Sequence, residues 1–350
     1  MLKKYTITTD YTVKQAIEKM ENECIKAVII VDDSNKVLGL FSNGDMRRFF
    51  LKGGELSSNI IIAMNKTPKL YLSETEIEEE RKSFIRVIYP IVDKECKLIE
   101  VVDYEIKNHN DRINDSLKNI PLVIMAGGKG TRLYPYTEVL PKPLIPINNI
   151  TIIERIIKSF EMYGCNDVKM ILNYKSNIIK AYMSSLEKDY KLEFIDEDKF
   201  LGTAGGMKLL KERITSTFFL TNCDILIDAD LECIYKTHKK NNNMITFVCS
   251  VINVVIPYGV IETSYDGRVS AIKEKPDFSF MVNTGVYIIE PEVLDYINDD
   301  EFIHLPDLAK RIIDNQKNVG VFPISEKSWM DMGQLSKLEE MKKKIEFGSK

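Results

Sequence analysis

The hydrophobic pattern divides the chain into two stretches with different rhythms. Near the N-terminus, Val13, Ile17 and Met20 recur at helical spacing, and Ala27–Val31 is an unbroken apolar run of the kind that makes a buried strand. Asp32-Asp33-Ser34-Asn35 supplies a polar turn before a second strand. Sliding the chain by 61 residues places Ile30-Val31-Asp32 on Ile91-Val92-Asp93, Lys36 on Lys97, and Val37, Leu38 and Leu40 on Leu98, Ile99 and Val101. The pattern predicts two copies of one small helix, strand, turn, strand unit. Neither copy alone can bury much surface, so the two are expected to pack together. Residues 108–119 carry no apolar run and read as the linker region.

Beyond it the rhythm changes. Leu122-Val123-Ile124-Met125-Ala126 predicts a short buried strand ending in a glycine cluster. Ile152, Ile153, Ile156, Ile157, Phe160 and Tyr163 then share a helical face until Gly164 stops it. Strand-like runs follow at 168–172 and 218–221, with a helical segment over 204–213 between them. Such alternation predicts an α/β domain with a largely parallel sheet. Segments 244–251, 258–262 and 281–289 are more strand-rich, and Asp266-Gly267 marks a hairpin turn.

Composition narrows the possible functions. Of the 350 residues, 48 Lys and Arg face 52 Asp and Glu, a net charge of −4 that argues against a polybasic nucleic-acid or anionic-membrane surface. No apolar run approaches the ~20 residues of a membrane helix. Met1-Leu2-Lys3-Lys4-Tyr5-Thr6 lacks the apolar core of a secretory signal, so a cytoplasmic protein is expected. The cysteines at 24, 96, 165, 223, 233 and 249 form no Cys-x-x-Cys pair and read as reduced thiols. His109, His238 and His304 are far apart in sequence, which disfavours a histidine triad or a histidine-rich metal centre.

The most informative stretch is Ala126-Gly127-Gly128-Lys129-Gly130-Thr131-Arg132-Leu133. Glycines let backbone amides approach an anion closely, which suits a phosphate chain. No register supplies the P-loop pattern, and Leu133 stands where a dinucleotide fingerprint needs its third glycine. What remains is a glycine loop with Arg132, followed by Pro141-Lys142-Pro143. Arg132 and Lys142 could neutralise triphosphate oxygens. The same residues would equally suit an ordinary turn with solvated cations. Local chemistry leaves both readings open.

In its order of motifs, the stretch from 121 to about 335 closely resembles the sugar-1-phosphate nucleotidyltransferase family. After the glycine loop and Lys142 come Leu201-Gly202-Thr203-Ala204-Gly205, Asn222-Cys223-Asp224, Tyr258-Gly259-Val260, Glu274-Lys275-Pro276, Asn283-Thr284-Gly285 and Trp329-Met330-Asp331-Met332-Gly333. The resemblance implies a Rossmann-like, GT-A-like mixed-sheet α/β domain. It also implies roles for residues. Ala126, Gly127, Gly128, Gly130, Thr131, Gly202 and Thr203 would bind the nucleotide, with Arg132 and Lys142 on its phosphates. Asp224 and Asp331 would hold Mg²⁺. Lys275 would hold the sugar phosphate, and Gly259, Glu274 and Asn283 would contact the sugar. Cys223 is expected to pack on the far face of its strand, and Trp329 and Tyr258 to be structural.

The N-terminal copies resemble a pair of CBS motifs, modules that commonly bind adenine nucleotides as regulators. Gly39-Leu40-Phe41-Ser42-Asn43-Gly44-Asp45 keeps the signature, with Ser42 and Asp45 meeting ribose and phosphates. The second copy has Glu100, Asp103 and Ile106 at the positions of Gly39, Ser42 and Asp45, so at most one site per pair is expected, with a purely structural or dimerising pair as the equal alternative. The resulting division is 1–57 for the first repeat, 58–115 for a degenerate second, 116–120 for the linker and 121–347 for the transferase domain. This architecture resembles the glucosamine-1-phosphate guanylyltransferases of legionaminic-acid biosynthesis. It implies GTP plus α-D-glucosamine 1-phosphate giving GDP-glucosamine and pyrophosphate; the expected partners are the two substrates, an adenine nucleotide at the CBS pair and a second copy of the chain. Heptose, mannose or glucose 1-phosphate, with GTP or another triphosphate, are the alternative substrates. A nucleotide sensor with an inactive transferase half is the alternative class.

Overall fold

The computed structural model describes residues 2–23, 25–81, 88–103 and 115–333; Cys24, Ile106, His109 and most of the stretch 108–119 lie outside them. The described residues group into two compact units, one drawn from 1–109 with 251–280 and the other from 110–250 with 281–350.

In the first unit, a three-stranded sheet joins Thr6–Ile7, Ala27–Val31 and Val37–Ser42. The Val13–Asn22 helix starts at a capping box in which the Thr12 hydroxyl and the Gln15 side chain satisfy each other's backbone N–H groups. The second copy supplies the Glu74–Arg81 helix and the Ile88–Val92/Leu98–Asp103 hairpin. The repeat is visible in the turns themselves. Asp32 accepts the N–H groups of Ser34 and Lys36 (both 2.9 Å), and Asp93 accepts those of Glu95 and Lys97 (2.9 and 2.8 Å). Asn35 and Cys96, related by the 61-residue shift, both adopt left-handed backbone (φ 64° and 65°). The two turns then bond to each other, Val37 N–H to Cys96 C=O at 3.0 Å and Leu98 N–H to Asn35 C=O at 2.9 Å. Residues 251–280 carry the Val260–Thr263/Val269–Lys273 hairpin, with Gly267 at φ 80° in its turn.

The second unit is built on a mixed sheet of seven strands. Their spatial order is Lys191–Asp196, Asp167–Leu172, Leu122–Ala126, Phe218–Asn222, Asp277–Ile289, Ile245–Val255 and Val319–Ser325. The first four are mutually parallel, and Asp277–Ile289 runs antiparallel to Phe218–Asn222. Leu122–Ala126 is central and covered on both sides, Leu122, Ile124 and Ala126 facing one apolar cluster and Val123 the other. The Ile152–Glu161 helix buries Ile152, Ile153, Ile156, Ile157 and Phe160 from behind a Thr151/Glu154 capping box. Each of those side chains contributes roughly 1.5–3 kcal/mol of burial. The helical segment expected over 204–213 is instead a 3₁₀ helix, Gly205–Leu210. Its paired glycines carry a high entropic cost in an α-helix. No described helix is long and apolar enough to cross a membrane.

Candidate functional site

Parallel strands deliver their C-terminal ends to one edge of the sheet, where open α/β sheets bind ligands. Three such ends build a pocket of about 260 Å³ here. The Leu122–Ala126 strand leads into Gly127, Gly128, Gly130, Thr131 and Arg132; Lys191–Asp196 leads into Glu197 and Phe200; Phe218–Asn222 leads into Cys223 and Asp224. Lys142, Gly202, Thr203 and Gly333 complete the lining with Met125 and Asn222.

The loop geometry explains its composition. Gly130 is left-handed (φ 65°), and a Cβ there would lie 2.9 Å from Thr137 Cγ2 and 3.1 Å from Lys142 Cβ. Thr137 donates its hydroxyl to the Gly130 carbonyl at 3.1 Å. Lys175 donates to the carbonyls of Thr137, Glu138 and Val139, which fixes that flanking segment. A Cβ at Gly128 would meet nothing within 4 Å, so that backbone faces open space. Gly202 is also left-handed (φ 85°), and a Cβ would sit 2.5 Å from the Ile303 carbonyl. Thr203 accepts the N–H of Leu305 at 3.1 Å, tying the second glycine segment to the Leu305–Asp314 helix.

At the pocket's charged end, Lys142 Nζ forms an ion pair with Asp224 Oδ2, the two side chains only 12% and 9% exposed. Asp331 reaches this place through a second strand pairing. Trp329–Asp331 runs antiparallel to Ile225–Ile227, with Asp331 opposite Ile225, and the Met332 N–H donates to the Asp224 carbonyl at 3.0 Å. Gly333 N–H donates to Asp331 Oδ1 at 2.6 Å. Burial, and then the charge of Asp224, push the Asp331 carboxyl above its ordinary value against the pull of Gly333, Lys142 and Arg132. Two interacting hard carboxylates at a phosphate-sized pocket fit a divalent cation such as Mg²⁺. No group of three or more such ligands occurs among the described residues, so phosphate and water would have to complete the shell.

The structure thus gathers Gly127, Gly128, Gly130, Thr131, Arg132, Lys142, Gly202, Thr203 and Asp224 around one pocket, with Ala126 buried at the strand end beneath it and Asp331 beside Asp224. Asn283, on the Asp277–Ile289 strand, uses its side chain locally, accepting from Gly285 N–H at 3.1 Å and donating to the Tyr287 hydroxyl at 2.7 Å. Gly259, Glu274 and Lys275 are exposed and belong to the unit that holds the N-terminal repeats. A Cβ on Gly259 would lie 3.0 Å from Glu274 Oε2, and Lys275 is left-handed (φ 44°). Ser42 and Asp45 form the capping box of the Asn43–Leu51 helix, and Arg48 pairs with Asp45. Cys223 packs in the core, where burial pushes its thiol up to about 12, and Trp329 packs against the same cluster. Tyr258, expected to be structural, is 74% exposed. Glu197 and Phe200 were not anticipated as site residues: Asp196-Glu197-Asp198 reads in sequence as a solvated acidic run.

Residues 122–347 match the nucleotidyl transferase family, and residues 1–52 match the CBS domain. A UTP–glucose-1-phosphate uridylyltransferase of Synechocystis sp. is 30% identical over 234 residues, 61% of this chain and 60% of that protein. A mannose-1-phosphate guanyltransferase of Aspergillus fumigatus is 34% identical over 182 residues, 49% of this chain and 50% of that protein. The chain therefore spans half to three-fifths of the length of these relatives. A solved Bacillus anthracis protein, described as a glucose-1-phosphate thymidylyltransferase in complex with a sucrose, shares the fold at 19% identity. Its TM-score is 0.51, over 64% of this chain and 94% of that one. The glycine-loop pocket and the match over most of the second unit agree: the chain belongs to the nucleotidyl transferase family and carries a CBS domain at its N-terminal end.

Proposed function

We propose that the second unit joins a nucleoside triphosphate to a sugar 1-phosphate, with release of pyrophosphate. The observation that carries this reading is the Lys142–Asp224 ion pair, set beside Asp331 in a glycine-loop pocket. A sugar 1-phosphate oxygen attacks the α-phosphorus, and the bond to the bridging oxygen of the leaving pyrophosphate breaks. The nucleophile is already an anion, so no general base is required. The work of the chain is to hold two repelling anions in line and to stabilise charge on the transferring group. Arg132 and Lys142 supply positive charge, and the open backbone at Gly128 lets phosphate oxygens approach amides. Mg²⁺, held by Asp224 and Asp331, would neutralise phosphate charge when bound.

GTP is the preferred triphosphate and α-D-glucosamine 1-phosphate the preferred acceptor in this reading. The motif order and the two-part architecture, which resemble the guanylyltransferases of legionaminic-acid biosynthesis, support both choices. The names of the relatives keep mannose and glucose 1-phosphates as the first alternatives. Lys275, Glu274, Gly259 and Asn283 remain the proposed sugar-phosphate residues. At the repeats we propose at most one adenine-nucleotide site, at Ser42 and Asp45, where a ligand has to share the helix cap they already form. A homo-oligomer is proposed as the working assembly. Pyrophosphate release over a matrix of triphosphates and sugar 1-phosphates tests the reading. The highest rate should fall on GTP with glucosamine 1-phosphate; a clear preference for UTP would overturn the guanylyl assignment, and silence with every pair would favour the sensor.

A further inference from the structure

Three residues, Asn173, Tyr174 and Lys175, connect the Asp167–Leu172 strand to the Ser176–Ser185 helix and grip the glycine loop from beside it. Asp167–Leu172 pairs in parallel with Leu122–Ala126, so the two strands deliver their C-terminal ends next to each other. At the start of the loop, Tyr174 N–H donates to the Gly127 carbonyl at 3.3 Å. Beyond its far end, Lys175 Nζ donates to the carbonyls of Thr137 (3.1 Å), Glu138 (2.5 Å) and Val139 (3.3 Å). An ammonium has three donors, and here they meet three consecutive carbonyls. Those carbonyls belong to the short Tyr136–Val139 helix, and a helix leaves its last four carbonyls without an intrahelical partner.

Lys175 itself holds left-handed backbone (φ 53°), which a side chain disfavours and glycine adopts freely. Its side chain does not cap the helix that begins just after it. The backbone at this position calls for glycine, and the lysine side chain found there serves the neighbouring loop instead. What it holds is the phosphate cradle. The Thr137 hydroxyl donates to the Gly130 carbonyl at 3.1 Å, and a Cβ on Gly130 would lie 3.1 Å from Lys142 Cβ. Lys142 follows Val139 by three residues and stands between two prolines, which stiffen the connection. A shift of the 137–139 carbonyls therefore moves Gly130 and Lys142 together.

We infer that Lys175 is a positioning residue for triphosphate binding, its ammonium setting the Gly130 backbone and the Lys142 side chain at the separation the phosphate chain requires. The inference rests on the nucleotidyl-transfer reading of this pocket and adds a residue that acts through Thr137 and Gly130 without touching the ligand. Because it serves phosphates, its effect is the same for every base. The sugar 1-phosphate does not share this support, since Gly259, Glu274, Lys275 and Asn283 stand on other segments. Misplacement by about 1 Å, caused by a residue away from the chemistry, can cost on the order of a hundredfold in rate.

The test compares the full chain with Lys175→Met, Lys175→Arg and Lys175→Gly, using GTP and UTP with Mg²⁺ as probes. Calorimetric titration gives Kd, initial rates give kcat/KM and the KM for sugar 1-phosphate, and Trp329 fluorescence gives the melting temperature. Methionine keeps the side-chain length and loses the donors. In Lys175→Met, Kd for either triphosphate should rise about tenfold and kcat/KM for the better one should fall about a hundredfold. The KM for sugar 1-phosphate should stay within about twofold of wild type. Lys175→Arg restores N–H donors and should return to within about fivefold of wild type. Glycine suits the left-handed backbone, so Lys175→Gly should melt no lower than Lys175→Met yet bind triphosphate as weakly. Recovered triphosphate binding in Lys175→Gly would show that backbone stability alone mattered and would overturn the inference. Equal losses on both substrates, or a Lys175→Met with wild-type Kd, would overturn it too. A wild type that binds a triphosphate without transferring it would overturn the transferase reading, while the Kd series still decides the role of Lys175. A wild type that binds neither probe would overturn both.

Discussion

Replacing Lys142 by methionine should expose how the pocket balances its charges. The ammonium pairs with Asp224, both side chains are nearly buried, and Asp331 already repels Asp224. Removing one partner of a buried pair typically costs about 3–5 kcal/mol, because the remaining charge is left uncompensated. The pocket is open to solvent on one side, so about 3 kcal/mol is the figure to expect. For a unit of this size that corresponds to a fall of about 6–12 °C in melting temperature. The chain's single tryptophan, Trp329, lies on the strand that carries Asp331, so its fluorescence reports unfolding of this unit. Adding Asp224→Asn to Lys142→Met should recover much of the loss, since the stranded carboxylate is its source. Turnover in Lys142→Met should fall by about a hundredfold or more, the usual cost of losing a charge-stabilising group. A melting shift under about 2 °C, or a double variant as unstable as the sum of the singles, would refute the electrostatic reasoning.

Glu290 gives the pH prediction. Burial alone would raise its carboxyl, but hydrogen bonds from His238, Lys239 and Thr217 outweigh that and hold it at about 2 against an ordinary 4.5. A lowered folded-state value stabilises above the ordinary value and is lost as pH falls through the folded one. Glu290→Gln should therefore cost about 2 kcal/mol at pH 7, after screening at the half-exposed Lys239, and the gap to wild type should close as pH falls from about 4.5 towards 2; urea unfolding that shows a constant gap would contradict it. Gly130→Ala should lower stability by about 1–2 kcal/mol in thermal unfolding, given its left-handed backbone and the nearby Thr137. Gly128→Ala should melt within about 1 °C of wild type and raise the KM for triphosphate about tenfold, because its methyl would project into open pocket space.

Much of the architecture is legible in short-range pattern. The Leu122–Ala126 strand, the Ile152–Glu161 helix and the repeat follow from apolar spacing, and the repeat's register extends to the paired turns at Asn35 and Cys96. One spacing can serve two roles: Ser42-Asn43-Gly44-Asp45 reads as a ligand signature, and the same spacing makes the capping box that the structure shows. Local pattern fails where burial is created by distant partners. Glu197 stands in a run of acids that looks solvated, and only the parallel pairing of Lys191–Asp196 with Asp167–Leu172 carries it into the interior. Asp224 and Asp331 are remote in sequence, and only the Ile225–Ile227/Trp329–Asp331 pairing sets them side by side. The grouping of 251–280 with the N-terminal repeats has no sequence signal, since the Lys14–Asp277 ion pair and the packing of Val251 involve residues of ordinary type.

The central claim is nucleotidyl transfer at the Asp224 pocket. Its most direct test is single-turnover formation of GDP-sugar and pyrophosphate from GTP and glucosamine 1-phosphate with saturating Mg²⁺, in the full chain and in Asp224→Asn. The wild type should give the two products in equal amounts, and the variant should lose at least about a hundredfold in rate. Near-normal turnover by Asp224→Asn would contradict it.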